Sequence, residues 1–227
     1  MCGRYVLKAT LEELERKYGA VQEGTFTFSP KYNVAPSAQM PVVLSHEGRR
    51  VINLFRWGLV PFWADSINTG YSMINARCET LAKKKSFSKP FRSQRCVVPA
   101  SGFYEWKNTS SGKIPHYITQ KASSLINLAG LYETWKSDSG DVVNSYTIIT
   151  TPANKPIQNL HDRMPAMLAD SELRIWLNPE NQSEDMLQDL LHPWPDNDIT
   201  YHRVDTRVNN ARNTGEGLIE PYQDLFS

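Results

Sequence analysis

Short apolar segments separated by polar turns are the sequence feature that most constrains how this chain folds. Each segment has the length of a β-strand, and polar stretches such as residues 110–112 and 138–140 lie between them. They occupy residues 4–7, 40–44, 51–55, 96–100, 103–107, 116–120, 126–132, 146–151 and 199–204. Fourteen prolines and six tryptophans also favour a loop-rich, β-rich architecture. The sequence therefore predicts a compact α+β fold in which strands outnumber a few peripheral helices.

Helix signals are fewer, and the clearest one follows the first strand. Thr10 and Glu13 have the spacing of a capping box, and Gly19 is suited to end the helix that they begin. Further helices are predicted at residues 155–160, 170–176 with Asp170 as its cap, and 184–191. Residues 20–38 are predicted as loop. In the absence of a repeat, a low-complexity tract or a linker, residues 1–227 are predicted to form one domain.

Charge and composition exclude several broad classes of protein. The 25 basic and 24 acidic residues leave a net charge of +1, whereas a general polyanion binder is normally distinctly basic. No apolar run approaches membrane-spanning length, and the N-terminal residues lack the apolar core of a signal peptide. We therefore predict a monomeric cytoplasmic protein, associated with the nucleoid if its source is bacterial.

The cysteines and histidines indicate neither a disulfide framework nor a metal site. The three cysteines are an odd number without CxxC spacing, and the five histidines form no pair at metal-ligand spacing. Cys78 and Cys96 are interpreted as small core residues. We predict a reduced protein with no metal and no other cofactor.

Cys2 differs from the other cysteines because of its position. Removal of Met1 would give Cys2 a free α-amine next to its thiol, and such a 1,2-aminothiol condenses with an aldehyde to form a thiazolidine. At pH 7 an α-amine is roughly a tenth to a fifth neutral. The alternative is a small buried residue at the start of a strand, and composition alone favours that alternative.

Asn75 and Arg77 form a second candidate pair. An asparagine both donates and accepts hydrogen bonds and could hold a polar reactant, while an arginine can bind a phosphate through two donors. The alternative is a turn asparagine beside a surface arginine in an ion pair. Local sequence favours the alternative.

Glu105 and His161 are candidates for proton transfer. Glu105 lies in an apolar, aromatic stretch, where partial burial would raise its pKa; strand alternation could equally direct it to water. His161 is followed by Asp162, Arg163 and, after Met164, a proline, which indicates a positioned loop. A lone histidine is nevertheless more often structural.

A basic segment at residues 83–91 could bind single-stranded nucleic acid. Its lysines and phenylalanines are Lys83, Lys84, Lys85, Lys89, Phe87 and Phe91. Stacking on aromatic rings and cation–phosphate contacts are typical of such binding. A solvated loop with its phenylalanines tucked underneath is an equally good interpretation.

Several longer blocks occur in a fixed order along the chain. They are MCGRY at 1–5, NVAP at 33–36, RWGLVP at 56–61, NARCET at 75–80, CVVPASGFYEW at 96–106, AGLYE at 129–133, TTPAN at 150–154 and HDRMP at 161–165. Together with looser similarity at Val208 and Asn209, they closely resemble the SRAP family of SOS-response-associated proteins that process abasic sites.

The resemblance implies a compact β-rich α+β fold and a covalent reaction with abasic sites in single-stranded DNA. It assigns the nucleophile to Cys2, an organising role to Asn75, proton transfer to Glu105 and opening of the sugar ring to His161. It also matches Arg4, Arg77 and Arg163 to positions that engage the DNA backbone. The chain keeps the family pattern at all four core positions.

Two other functions remain open. An N-terminal cysteine with its own α-amine as base could act as a peptidase, of which self-removal of Met1 would be the mildest form. A non-catalytic single-strand binder, in which Cys2 plays no part, is the other.

Overall fold

The computed structural model describes residues 2–181 and 183–223, in which strand is the main secondary structure. The strands are β1 (Tyr5–Leu7), β2 (Val21–Gln22), β3 (Lys31–Val34), β4 (Gln39–His46), β5 (Arg49–Trp57), β6 (Asn75–Arg77), β7 (Arg95–Ala100), β8 (Gly102–Thr109), β9 (Gly112–Gln120), β10 (Ile126–Lys136), β11 (Val142–Pro152), β12 (Arg163–Pro165), β13 (Met167–Leu168) and β14 (Ile199–Arg203). The helices are α1 (Leu11–Tyr18), α2 (Lys85–Ser93), α3 (Lys155–Gln158), α4 (Leu173–Trp176) and α5 (Glu184–Asp189). The predicted β-rich α+β fold is confirmed.

The strands form two sheets, one of which closes on itself. The smaller sheet has the order β14-β9-β8-β1-β3, and the larger follows β12-β11-β10-β7-β4-β5-β2. A further parallel pairing joins β5 to β11, so that β11, β10, β7, β4 and β5 form a closed ring of strands. The short strand β6 pairs in parallel with β11, which brings the chain around residue 75 to this ring.

Local sequence explains the best-predicted elements. In α1 the Thr10 and Glu13 capping box is formed, and Gly19 ends the helix in the left-handed conformation. The β4–β5 hairpin turns through Glu47 and Gly48, whose φ angles are 50° and 77°. Positive φ at both positions is typical of a two-residue turn whose twist matches that of the strands.

The hydrophobic core extends across both sheets. Its fully buried residues include Tyr5 of β1, Phe103 of β8, Trp57 of β5 and Ile148 of β11, and Cys2 belongs to the same cluster. The N-terminal strand is therefore an interior element, held between β3 and β8.

Two local predictions were wrong. Residues 20–38 contain β2 and β3, which pair with β5 and β1; these short strands are stabilised by partners distant in sequence. Asp170 does not cap the following helical segment, where Ala169 is the capping residue. The Asp170 carboxylate instead accepts hydrogen bonds from Lys17 Nζ at 2.7 Å and from Asn127 Nδ2 at 2.9 Å.

Most of the basic segment is helical, since Lys85–Ser93 form α2, whereas one of its two interpretations was a solvated loop. Phe87 and Phe91 are buried and their spacing places them on one face of the helix, while the lysines are exposed. These phenylalanines therefore pack against the core and are not available for stacking on bases. Among the residues that the structure describes, no helix is both long enough and apolar enough to cross a membrane.

Candidate active site

Cys2 is fully buried just ahead of β1, and Asn75 holds its backbone. Asn75 Nδ2 donates a hydrogen bond to the Cys2 carbonyl oxygen at 2.8 Å. Asn75 is in register with Ile148, the point at which β6 joins β11. Its Oδ1 is buried and receives no hydrogen bond from any described residue, which leaves an acceptor close to the N-terminal backbone. The fold thus brings together two of the predicted residues that are distant in sequence.

The Cys2 thiol is protonated at neutral pH in this environment. Burial raises its pKa to about 12, and the negative charge of Glu105 adds to the effect. The Sγ–H group lies 4.0 Å from the Arg4 carbonyl oxygen. A buried thiol must give its proton to a nearby group before or while its sulfur forms a bond, because water cannot accept it there.

Glu105 is a buried carboxyl group whose pKa is suited to proton transfer. The β1–β8 pairing places Tyr5 opposite Phe103, so Glu105 follows two residues later along β8, on the side from which Cys2 enters β1. Burial raises the pKa of Glu105 to about 7, so both protonation states are populated near neutral pH. The strand thus buries this carboxylate, and the alternative of a solvent-facing side chain is wrong.

His161 lies in the turn after α3 with its imidazole partly exposed. Its Nδ1 is 2.9 Å from the Arg163 backbone N–H, which requires Nδ1 to accept, and 2.7 Å from Asp162 Oδ1, which requires Nδ1 to donate. Burial lowers the pKa of His161, and the Asp162 side chain is 82% exposed and therefore well hydrated. We assign the neutral imidazole, with Nδ1 as acceptor and the proton on Nε2.

A cavity of about 530 Å³ brings Glu105 and His161 to one place beside the N-terminus. Among the described residues it is lined by Gly3, Glu105, Trp106, Asn108, Lys113, His161 and Asn209. Its size is in the usual range for small-molecule sites, large enough for a sugar. We call Cys2, Asn75, Glu105 and His161 the N-terminal centre.

Five of the cavity residues were not predicted as site residues, namely Gly3, Trp106, Asn108, Lys113 and Asn209. Trp106 follows Glu105 in a block that carries the family resemblance and could have been suggested by that position. Its Nε1–H donates to Asn209 Oδ1 at 2.7 Å. Asn209 lies in a segment with only loose family resemblance. Asn108 and Lys113 face each other across the β8–β9 hairpin, and nothing in their local sequence indicates a site.

The three predicted DNA-contacting arginines have different surroundings. Arg4 Nη1 donates to Asn33 Oδ1 at 2.7 Å, and burial lowers the Arg4 pKa. Arg163 is buried and binds Glu79 through both of its terminal nitrogens, with Nη2 at 3.0 Å from Oε2. Arg77 is exposed on β6, two residues beyond Asn75. Of the three, Arg77 is therefore the most accessible to a polyanion.

The exposed lysines of α2 meet aromatic rings from another segment. Lys85 Nζ lies 4.8 Å from the centre of the Trp63 ring, and Lys89 Nζ lies 5.0 Å from that of Phe62. Phe62 is 53% exposed and Trp63 is 39% exposed. We call these four residues the basic–aromatic patch.

Within residues 2–181 and 183–223, no group of three or more His, Cys, Asp or Glu side chains is arranged to hold a metal ion. Cys2, Cys78 and Cys96 are buried thiols that form no disulfide.

Taken together, the fold and the site define a β-rich protein whose buried N-terminal strand adjoins a cavity that contains a carboxyl group and an imidazole. The family model described as SOS response associated peptidase (SRAP) matches residues 1–211. The chain belongs to the SRAP family.

Two bacterial relatives resemble it over almost their whole length. The chain is 41% identical over 226 residues to the abasic site processing protein YoqW of Bacillus subtilis (strain 168), covering 98% of this chain and 100% of the relative. It is 40% identical over 224 residues to YoaM of the same organism, also an abasic site processing protein, covering 97% and 98%. A crystal structure of a protein from Bacteroides thetaiotaomicron matches with a TM-score of 0.87 and 26% identity, covering 98% of this chain and 100% of that one.

Proposed function

We propose that this protein captures abasic sites in single-stranded DNA through a covalent thiazolidine cross-link to Cys2. The cross-link shields the damaged sugar from strand cleavage and from error-prone repair, as part of a DNA-damage response. One observation carries the proposal: Glu105 and His161 line the same cavity as Gly3, which directly follows Cys2. The names of the B. subtilis relatives support an abasic site as the substrate.

The first step opens the sugar. An abasic deoxyribose is mostly a closed hemiacetal, and only its open form presents an aldehyde. His161 donates its Nε2 proton to the ring oxygen while a water molecule relays the proton of the anomeric hydroxyl back to Nε2, so that the C–O bond breaks, the aldehyde forms and the neutral imidazole is restored. The contact of Nδ1 with the Arg163 amide supports this assignment, because it leaves the proton on the other ring nitrogen.

The second step joins protein and DNA. Once Met1 has been removed, the neutral α-amine of Cys2 attacks the aldehyde carbon. Protonated Glu105 gives a proton to the hydroxyl group, which leaves as water, and then takes the N–H proton to leave an imine. A carboxyl group with a pKa of about 7 is suited to both transfers.

The third step closes the ring. The Cys2 sulfur attacks the imine carbon, and the S–H proton passes through Glu105 to the nitrogen, so that no atoms are lost. The high thiol pKa makes this transfer necessary. Ring closure competes with β-elimination from the imine, so a residual lyase activity that cuts the strand accompanies capture.

DNA binding in this proposal is weak and local. If Arg4, Arg77 and Arg163 each contact one phosphate, the salt dependence of single-strand binding has a slope of about −2. The exposure of Arg77 supports its part in this set. We further propose that the protein acts as a cytoplasmic monomer without a cofactor, near the nucleoid if it is bacterial.

The test mixes untagged protein with a single-stranded oligonucleotide that carries one abasic site. We expect an adduct that survives SDS and heat, is absent with intact DNA and is lost in Cys2→Ala. Cys96→Ala, which alters another fully buried thiol, is the matched control and should retain the adduct. Unchanged adduct in Cys2→Ala would contradict the proposal, and equal retention of intact and abasic DNA would favour a non-catalytic binder. The intact mass shows whether Met1 has gone.

A peptidase is the alternative, and the family description supports it. The full burial of Cys2 argues against a large peptide substrate. Self-removal of Met1 is the mildest form of peptidase activity that is compatible with this burial. Cleavage of an added peptide at a rate that depends on Cys2 would favour the peptidase over DNA capture.

A further inference from the structure

Trp57 lies beside the N-terminal centre without entering its cavity. It ends β5 and is fully buried, and its indole Nε1–H donates a hydrogen bond to the Ile74 carbonyl oxygen at 2.9 Å. Ile74 directly precedes Asn75, whose side chain holds the Cys2 carbonyl oxygen. One peptide unit therefore separates the indole contact from the residue that organises the N-terminus.

The strand that carries Asn75 has little other support. β6 is three residues long, and among the described strands it pairs with β11 alone. The Ile74 carbonyl oxygen also accepts the Ile148 backbone N–H, but at the longer distance of 3.2 Å. The indole bond is thus a second anchor at the point where this short strand begins.

The same indole also contacts β1, the strand that follows Cys2. Its ring lies 5.1 Å from the Tyr5 ring in an edge-on arrangement and is stacked 6.4 Å from the Tyr146 ring. The hydroxyl groups of Tyr5 and Tyr146 are hydrogen-bonded to each other at 2.7 Å in the core. Trp57 therefore touches β1 through its ring and β6 through its N–H, and so fixes the separation of the two strands.

We infer that Trp57 is a positioning residue that keeps Asn75 in register with the Cys2 backbone. The inference rests on the proposed function and names a residue that acts through Asn75. Loss of the indole N–H lets the start of β6 shift while the apolar core remains filled. Misplacement of about 1 Å at a reacting group can slow a reaction by about a hundredfold.

The primary test compares Trp57→Phe with Trp176→Phe under single-turnover conditions. Trp176 is an equally buried tryptophan whose Nε1–H donates to the Cys96 carbonyl oxygen at 2.9 Å, away from β6. We expect Trp57→Phe to lower the maximal rate of adduct formation by about tenfold to a hundredfold, with the half-saturating DNA concentration unchanged. Trp176→Phe should keep the wild-type rate even where its melting temperature falls as much.

A double-mutant cycle with Asn75→Ala separates positioning from general damage. Because Trp57 acts through Asn75, Trp57→Phe should have little further effect once the asparagine side chain is absent. Effects that multiply in the double variant, or equal slowing by Trp176→Phe, would overturn the inference.

A second variant keeps the test decisive if Trp57→Phe does not fold. Benzothienylalanine at position 57 keeps the shape of the indole and replaces its N–H by sulfur, and it should slow adduct formation in the same way. A wild-type rate in this variant would refute the positioning role alone. Absence of adduct in the wild-type protein would instead refute the proposed function.

Discussion

The N-terminal centre and the basic–aromatic patch treat charge in opposite ways. In the centre, Glu105 is buried and its pKa is raised, and the Cys2 thiol is held protonated. In the patch, Lys85 and Lys89 are exposed on α2 and rest against partly exposed rings. Burial makes a negative charge costly, so the carboxyl group and the thiol retain their protons to higher pH, whereas exposure lets water screen a cation. The first region is therefore suited to chemistry, and the second at most to weak, salt-dependent contact.

Among the substitutions that test this contrast, Glu105→Gln should have the largest effect on the rate of adduct formation. It preserves shape but cannot accept a proton, and removal of a general acid–base group typically costs about 10²- to 10⁴-fold. We expect adduct formation in quenched time courses to slow by at least about a hundredfold. Lys85→Gln, which neutralises an exposed charge, is the control and should react at the wild-type rate. A Glu105→Gln rate within a factor of two of wild type would remove Glu105 from the mechanism.

The second prediction concerns stability against pH. The folded-state pKa of Glu105 is raised from 4.5 to about 7, so between these values the folded protein binds more protons there than the unfolded chain. This contribution to the free energy of unfolding is present at low pH and is lost as pH rises through about 7. His161, whose pKa is lowered by burial, acts in the opposite direction, so its contribution grows as pH rises.

The difference between Glu105→Gln and wild type isolates the carboxyl group. We expect the variant to gain stability relative to wild type between pH 5 and pH 8, by on the order of 3 kcal/mol. Denaturant unfolding at a series of pH values measures this gain. A constant difference in stability across this pH range would show that the pKa of Glu105 is the same in the folded and unfolded states.

His161→Gln should have an intermediate effect that depends on the substrate. Loss of the Nε2 proton donor slows ring opening, so we expect about tenfold to a hundredfold slower capture of an abasic site. A simple aldehyde that cannot form a ring needs no opening and should react with Cys2 at the wild-type rate. Equal slowing with both substrates would assign His161 to a later step.

The smallest effects should come from exposed cations. Arg77→Gln removes one proposed phosphate contact and should reduce the salt slope for single-stranded DNA by about 0.7. The double variant Lys85→Gln/Lys89→Gln should leave the slope nearly unchanged. A wild-type slope several times steeper than about −2, reduced by the lysine changes, would make the patch a major part of the interface.

Sequence reasoning succeeded where the signals were local. The α1 boundaries depend on Thr10, Glu13 and Gly19, which act within one helix. β3 was missed because it is stabilised by pairing with β1, and Asp170 was misassigned because Lys17 and Asn127 bind its carboxylate. These outcomes depend on contacts between residues distant in sequence.

The residues of the candidate site likewise differ in whether local sequence or long-range pairing reveals them. Cys2 stands out by position, but Glu105 could be selected from the 24 acidic residues only through family resemblance. Its burial comes from the pairing of β8 with β1, which no short window of sequence encodes. Lys113 of β9 reaches the cavity through the register of a hairpin, and a basic residue beside a polar turn in the sequence gives no sign of that.

The burial of Cys2 has a consequence for how the chain is processed during its synthesis. β1 is enclosed by β3 and by β8, and β8 is synthesised much later in the chain. Until Gly102–Thr109 has emerged from the ribosome and paired, β1 lacks the strand that encloses it on one side. We therefore expect an aminopeptidase to remove Met1 fastest before this pairing, which mass spectrometry of nascent chains stalled before and after residue 109 would check.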